Sequence, residues 1–193
     1  MPNWCNNTVS IAHQDPAKLY ALVEAINEGK FCNHVIPVPK DLTDTVAGYP
    51  GEDKEAEHKL QMERNLKLYG AKDWYDFCVA RWGTKWDVDA YDKVEYDDQH
   101  DKHGITFGFD SAWSPPIGVY EALVEQGFSV CAFYYEPGMA YCGKWSDEDG
   151  DEYYEIGGLT SEQVRETIPE DLDDCMGISE TMAEYEDMER EGE

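Results

Sequence analysis

The chain has 193 residues, 41% hydrophobic and 13% aromatic, enough to bury a sizeable core as one domain carrying an insertion or a tail. Forty-two acids against fifteen Lys and Arg give a net charge of −27. A surface of that sign repels nucleic-acid phosphates and anionic membranes, so direct binding to either is not expected, whereas a partner with a basic groove would be attracted. The plainer reading is that the charge serves solubility alone.

The N-terminus, MPNWCNNTVS, has neither the charged region nor the apolar run of a secretion signal. No segment approaches the roughly 18 apolar residues of a membrane span. Six cysteines (Cys5, Cys32, Cys78, Cys131, Cys142 and Cys175) sit on apolar faces, where a reduced thiol behaves as a small hydrophobe. The expectation is a cytoplasmic protein with free thiols.

In chain order, Thr8 to His13 reads as a strand with Val9 and Ile11 inward. Asp15-Pro16 then starts a helix whose stripe is Leu19, Leu22, Val23 and Ile26 and whose stop is Gly29. His34 to Pro39 reads as extended, because a residue before proline is pushed out of the helical region. Residues 41–83 read as a helical insertion: a polar loop over 41–51, a helix over 52–68 with a thin stripe (Ala56, Leu60, Leu68), and a second helix capped by Asp73 and stopped by Gly83. Trp74, Phe77, Cys78 and Trp82 are its candidate core residues. Lys85 to Asp97 reads as a strand with Val88, Ala90, Val94 and Tyr96 on one face and Asp87, Asp89, Glu95 and Asp97 on the other.

From Gly104 to Lys144 the pattern is denser. Ile105, Phe107 and Phe109 have strand period. Ser114 and Pro115 suit the N-cap and first position of a helix carrying Ile117, Tyr120, Leu123 and Val124 on one face, with Gly127 as its left-handed stop. Phe128, Val130, Ala132 and Tyr134 resume the strand period, Glu136-Pro137-Gly138 is a turn, and the chain returns through Ala140 and Cys142. Strand, helix, insertion, strand, strand, helix, strand is the order of a ferredoxin-like, split βαβ arrangement, so the expected class is α+β with an antiparallel sheet. That domain would span residues 1–145.

Residues 146–193 form an acidic extension holding nineteen of the acids and only two basic residues, Arg165 and Arg190. Thr160 with Gln163 makes a capping box and Leu159 with Val164 a hydrophobic staple, predicting a helix over 161–167. Ser179 is a candidate cap for a last helix with Met182, Tyr185 and Met188 as a narrow stripe. Docking of that stripe on the domain and partial disorder of the tail are both consistent with the composition.

The opening MPNWCNNTVSI and the block FGFDSAWSPPIGVYEALVEQGFSVCAFYYEPGMAYCG resemble the YubB-type, or Api92-like, ferredoxin-like proteins of bacteriophages and conjugative plasmids. The likeness covers residues 1–39 and about 74–145. Trp113-Ser114-Pro115-Pro116 paired with Tyr135-Glu136-Pro137-Gly138 is its most specific part. The resemblance implies a ferredoxin-like topology without an iron–sulfur cluster, a mobile-element origin, and no catalytic residue to carry over.

The sharpest candidate site is acidic. Carboxylates at alternate strand positions stand about 6.6–6.8 Å apart, two steps of a DNA strand at roughly 3.4 Å each. Asp87, Asp89, Glu95, Asp97 and Asp98, joined by Asp147, Glu148, Asp149, Asp151 and Glu152, could imitate a phosphate track. A solvated sheet face is the bland alternative. Asp147 to Asp151 does not fit an EF-hand, whose sixth position is Gly and twelfth Glu. Cys32 and His34 with Cys5 lack zinc-site spacing. His100 and His103 flank Asp101 without a visible partner, and no G-x-S-x-G, Walker or H-E-x-x-H motif occurs. Trp113, Tyr134, Tyr135 and Tyr141 are either an aromatic binding patch or packing residues.

The functional expectation is therefore a non-catalytic, cofactor-free inhibitor from a mobile element. It would mimic nucleic acid and block the basic nucleic-acid-binding groove of a host CRISPR effector or restriction enzyme. An accessory binding module, or a small enzyme built on His13 or His103 with a cysteine, are the alternatives.

Overall fold

The computed structural model describes residues 3–96 and 104–192. An antiparallel five-stranded sheet in the order β2-β1-β3-β4-β5 forms its centre. β1 (Trp4–Ala12) leads into α1 (Pro16–Asn27), and β2 (Gly104–Ala112) into α6 (Ile117–Glu125) and β3 (Ser129–Glu136). β4 (Tyr141–Ser146) and β5 (Gly150–Glu155) close the sheet as a hairpin. β2 and β3 each pair antiparallel with β1, so they run parallel to one another with α6 crossing between them. β1 begins at Trp4 rather than Thr8, because Cys5 and Asn7 continue the inward alternation of Val9 and Ile11.

The first helix follows its sequence signals. Asp15 accepts a hydrogen bond from the Ala17 amide, Pro16 sits at the first position, and Gly29 turns left-handed at φ 66°. Its buried stripe packs with α2 (Phe31–Val35) and α6 on one sheet face, against Val9, Ile11, Phe107, Phe109, Val130, Ala132 and Trp145. His34 and Val35 therefore belong to a helix, and only the segment from Ile36 to Pro39 is extended. The start of α6 also differs from expectation. Ser114 does not cap it: its hydroxyl donates to the Gly83 carbonyl, and the helix begins only after Pro116. That frees the chain before α6 to meet the end of α5 (Trp74–Arg81).

The insertion comprises α3 (Lys40–Thr43), a 3-10 turn at Glu52–Lys54, α4 (Glu55–Tyr69) and α5. It has a small core of its own in Leu42, Ala71 and Phe77. The expected stripe of α4 is not buried: Leu60 and Leu68 are exposed, and the residue facing inward is Asn65. The Asn65 amide donates to the Thr45 hydroxyl at 2.9 Å and the Lys72 carbonyl at 2.8 Å, so α4 is held by polar contacts.

The acidic extension is a third layer. β5 joins the sheet, and α7 (Ser161–Thr167), α8 (Glu170–Met176) and α9 (Ile178–Gly192) cover the sheet face opposite α1 and α6. Val164, Ile168, Leu172 and Ile178 pack there with Cys142, Phe133, Tyr135 and Tyr154. The capping box of Thr160 and Gln163 is present, and Leu159 and Val164 share that core as a staple would. Ser179 lies inside the first turn of α9 rather than capping it, and of the expected stripe Met182 packs inward while Tyr185 and Met188 are exposed.

A tight contact ties α6 to α5. The Gly118 amide donates to the Trp82 carbonyl at 3.2 Å, and a Cβ on Gly118 would lie 2.1 Å from the Arg81 carbonyl oxygen. Both partners are backbone, so Gly118→Ala must push the helices apart. It should destabilise by about 1–3 kcal/mol, read as a lower midpoint in urea without a change in slope.

Candidate partner-binding surface

The stretch expected to form an acidic strand does not form one. Between Lys85 and Tyr96 a single bridge, Ala90 to Phe109, touches the outer side of β2. The reason is local. The Asn27 side chain accepts from the Val94 amide at 2.9 Å and donates to the Val94 carbonyl at 3.0 Å, supplying the bonds a neighbouring strand would have supplied. Asp87 is half-buried and accepts from the Cys32 amide at 2.7 Å, the Asn33 amide at 3.0 Å and its own Val88 amide. It caps α2 from a distance, since Lys30 at the N-cap offers no side-chain acceptor. Burial pushes its carboxyl above the usual aspartate value, against the pull of those amides. Asp89 is exposed, and Glu95 is exposed 3.3 Å from Lys93. Asp97 and Asp98, like His100, Asp101 and His103, lie outside the described residues.

Of the second group, Asp151 and Glu152 lie on β5, four inter-strand steps or about 19 Å from β2, whereas Asp147 turns back beside β3. Asp147, Glu148 and Asp149 form the β4–β5 turn and are exposed. Asp147 accepts from the Ser129 hydroxyl at 2.9 Å, Asp151 from the Tyr134 hydroxyl at 2.7 Å, and Glu152 from the Tyr154 hydroxyl at 3.0 Å. Among the described residues, the expected acids are thus not brought together into one track.

Acids do converge in the third layer, at positions the sequence reading passed over. Glu170 and Asp174 of α8 and Glu180 of α9 line a cleft of about 630 Å³ with Arg165 and Asp173. Asp173 is buried and accepts from the amide and the hydroxyl of Ser179, which joins α8 to α9. Arg165 donates to the Ser179 hydroxyl at 3.3 Å. Among the described residues of the extension, ion pairs reach only Asp171, through Lys144 at 2.6 Å, and Glu186 and Asp187, through Arg190. A clue was available: Pro169 followed by three acids within four residues is the signature of a helix start.

The cysteines are all unpaired. Burial raises the pKa of each, pushing Cys5, Cys78 and Cys142 up to about 12, so the thiols are protonated at neutral pH. Of the four aromatics that could be a binding patch or packing residues, Tyr134 is buried, and Tyr135 is half-buried against the third layer. Tyr141 donates to the Trp113 carbonyl at 2.5 Å, and Trp113 is exposed.

The sequence matches no family model and no curated protein. Its structure is similar to a crystal structure of protein api92 from Yersinia pseudotuberculosis, of family DUF1281. The TM-score is 0.42 at 10% identity, covering 82% of this chain and 99% of that one. Among the described residues, no helix is long and apolar enough to cross a membrane.

Two predictions separate structural acids from free ones. Asp87→Ala removes the cap of α2 and should cost about 1 kcal/mol in chemical unfolding, whereas Asp89→Ala should leave the midpoint unchanged. Glu186 accepts from the Ser161 amide at 2.7 Å and the Ser161 hydroxyl at 2.9 Å, and those bonds hold its carboxyl below the usual glutamate value. Its contribution is therefore present at neutral pH and lost as pH falls from 4.5 through that depressed value. Glu186→Gln should be less stable than the parent at neutral pH, and the gap should close over that acidic window in paired melts.

Proposed function

We propose that this chain is a non-catalytic binding protein of a mobile genetic element that acts in the host cytoplasm. Its acidic surface would occupy the basic nucleic-acid-binding groove of a host defence complex, such as a CRISPR effector or a restriction enzyme. The β2–α6–β3 unit around β1 is consistent with the split βαβ of ferredoxin-like proteins. The motif resemblance to Api92-like phage and plasmid proteins supports the same origin.

One observation carries the reading. The extension's acids are mounted on ordered helices and a hairpin, and most have no Lys or Arg in ion-pair range among the described residues. Fixed, unneutralised carboxylates steer a cationic groove at long range and lose little freedom on docking. The surface most suited to this is the α8–α9 cleft with Glu170, Asp174 and Glu180; the hairpin acids Asp147, Glu148, Asp149, Asp151 and Glu152 are a second acidic group outside its lining.

The test is capture of a nucleic-acid-binding complex from host lysate, followed by competition with duplex DNA and a salt titration. Duplex DNA should displace the protein. Affinity should fall as salt rises, and Glu170→Lys with Asp174→Lys and Glu180→Lys should weaken binding by about tenfold or more. Unchanged binding by the charge-reversed protein, or a partner indifferent to DNA, would defeat the proposal.

A further inference from the structure

The end of the sheet where β1 begins and β2 ends carries an aromatic surface that the acidic reading does not use. Trp4, Trp86 and Trp113 are 45%, 39% and 41% exposed. The Trp4 and Trp86 rings lie 6.1 Å apart, and Tyr75 meets Trp113 edge-on at 6.4 Å. Scattered exposed aromatics need no explanation, but several on one surface mark a place where something binds. Tryptophan and tyrosine are also the residues that dominate the energetic centres of protein interfaces.

Lys85 sits among these rings. Its ammonium is 4.3 Å from the centroid of Trp86 and 5.5 Å from those of Tyr75 and Trp113. Three ring faces around one cation are the geometry by which aromatic cages hold a positive group. A second, independent observation concerns the backbone. Trp113 stands at φ 69°, a left-handed conformation that a bulky side chain disfavours and glycine accepts freely. Its amide donates to the Asn3 carbonyl at 2.9 Å and its carbonyl accepts from the Tyr141 hydroxyl, so the backbone is held there against local preference. Strain of this kind gathers at functional positions.

We propose that Tyr75, Trp86 and Trp113 form a cage for an arginine side chain on a basic segment of a partner protein, and that Lys85 fills it in the free protein. Arginine displaces lysine because its planar guanidinium stacks on a ring face and is more weakly hydrated than an ammonium. Charge complementarity names the occupant: at −27, the chain draws toward itself the cationic side of any partner. The inference rests on the reading that the partner is basic, but it uses none of the side chains of the α8–α9 cleft.

The test measures binding of capped hexa-arginine and hexa-lysine peptides to the full chain by calorimetry at one salt concentration. The parent should prefer hexa-arginine by about threefold or more, and Trp86→Leu should erase that preference. Lys85→Ala should raise hexa-arginine affinity by about two- to fivefold, and more than it raises hexa-lysine affinity. Trp113→Gly is the second ring variant, because glycine suits that backbone; it should fold and lose the preference as Trp86→Leu does. Equal affinity for the two peptides in the parent, a preference that survives in both ring variants, or no binding of either peptide would overturn the cage. Reversing Glu170, Asp174 and Glu180 to Lys should weaken both peptides alike and leave their ratio intact. The ratio therefore reports on the cage, and the common loss on the acidic surface.

Discussion

Everything in this structure follows from β3 being apolar on both faces. Val130, Ala132 and Tyr134 point one way, and Phe133 and Tyr135 the other. A strand of that kind has no face to give to water, so the sheet needs helices on both sides. α1, α2 and α6 cover one side early in the chain. The other is left for whatever follows β4, and Val164, Ile168, Leu172 and Ile178 meet the requirement despite lying in the most acidic part of the sequence. Burial at roughly 25 cal/mol per Å² outweighs the mutual repulsion of exposed carboxylates, which water and salt screen.

This explains what was legible in the sequence and what was not. Elements announced by short-range chemistry were readable: Asp15-Pro16 and Gly29 bound α1, and Thr160 with Gln163 opens α7. Docking of the extension could have been read from the odd positions of β3, where Cys131, Phe133 and Tyr135 fill the face that a half-buried strand would leave polar. The failed strand at 85–96 was beyond such reasoning. Its alternation is real, but the Asn27 side chain, 67 positions away, takes the bonds of Val94, and Asp87 spends its carboxylate on the amides of α2. Remote side chains that imitate backbone leave no periodic trace. Ser114 misled in the same way, since its hydroxyl closes onto Gly83 across 31 positions.

The candidate surfaces divide along the same line. Acids with an anchoring role, such as Asp87, Asp173 and Glu186, are recognised only by the groups they accept from. Those around the α8–α9 cleft, Glu170, Asp174 and Glu180, are defined by having no ion-pair partner among the described residues. The aromatic end of the sheet was partly visible through Trp113, but of the residues named with it Tyr134 is core, and Trp86 and Tyr75, from the insertion's exit, were not among them. A site assembled from three separated stretches shows itself only when the sheet brings them together.

The position of the third layer along the chain has a consequence for synthesis. Strands β1 to β4 leave the ribosome before the segment that shields their second face, so Phe133, Tyr135 and Cys142 face solvent until α8 and α9 have emerged. Through that interval the nascent sheet carries an adhesive face without its cover. The completing segment then closes that face with Val164, Ile168, Leu172 and Ile178 while keeping most of its carboxylates in solvent.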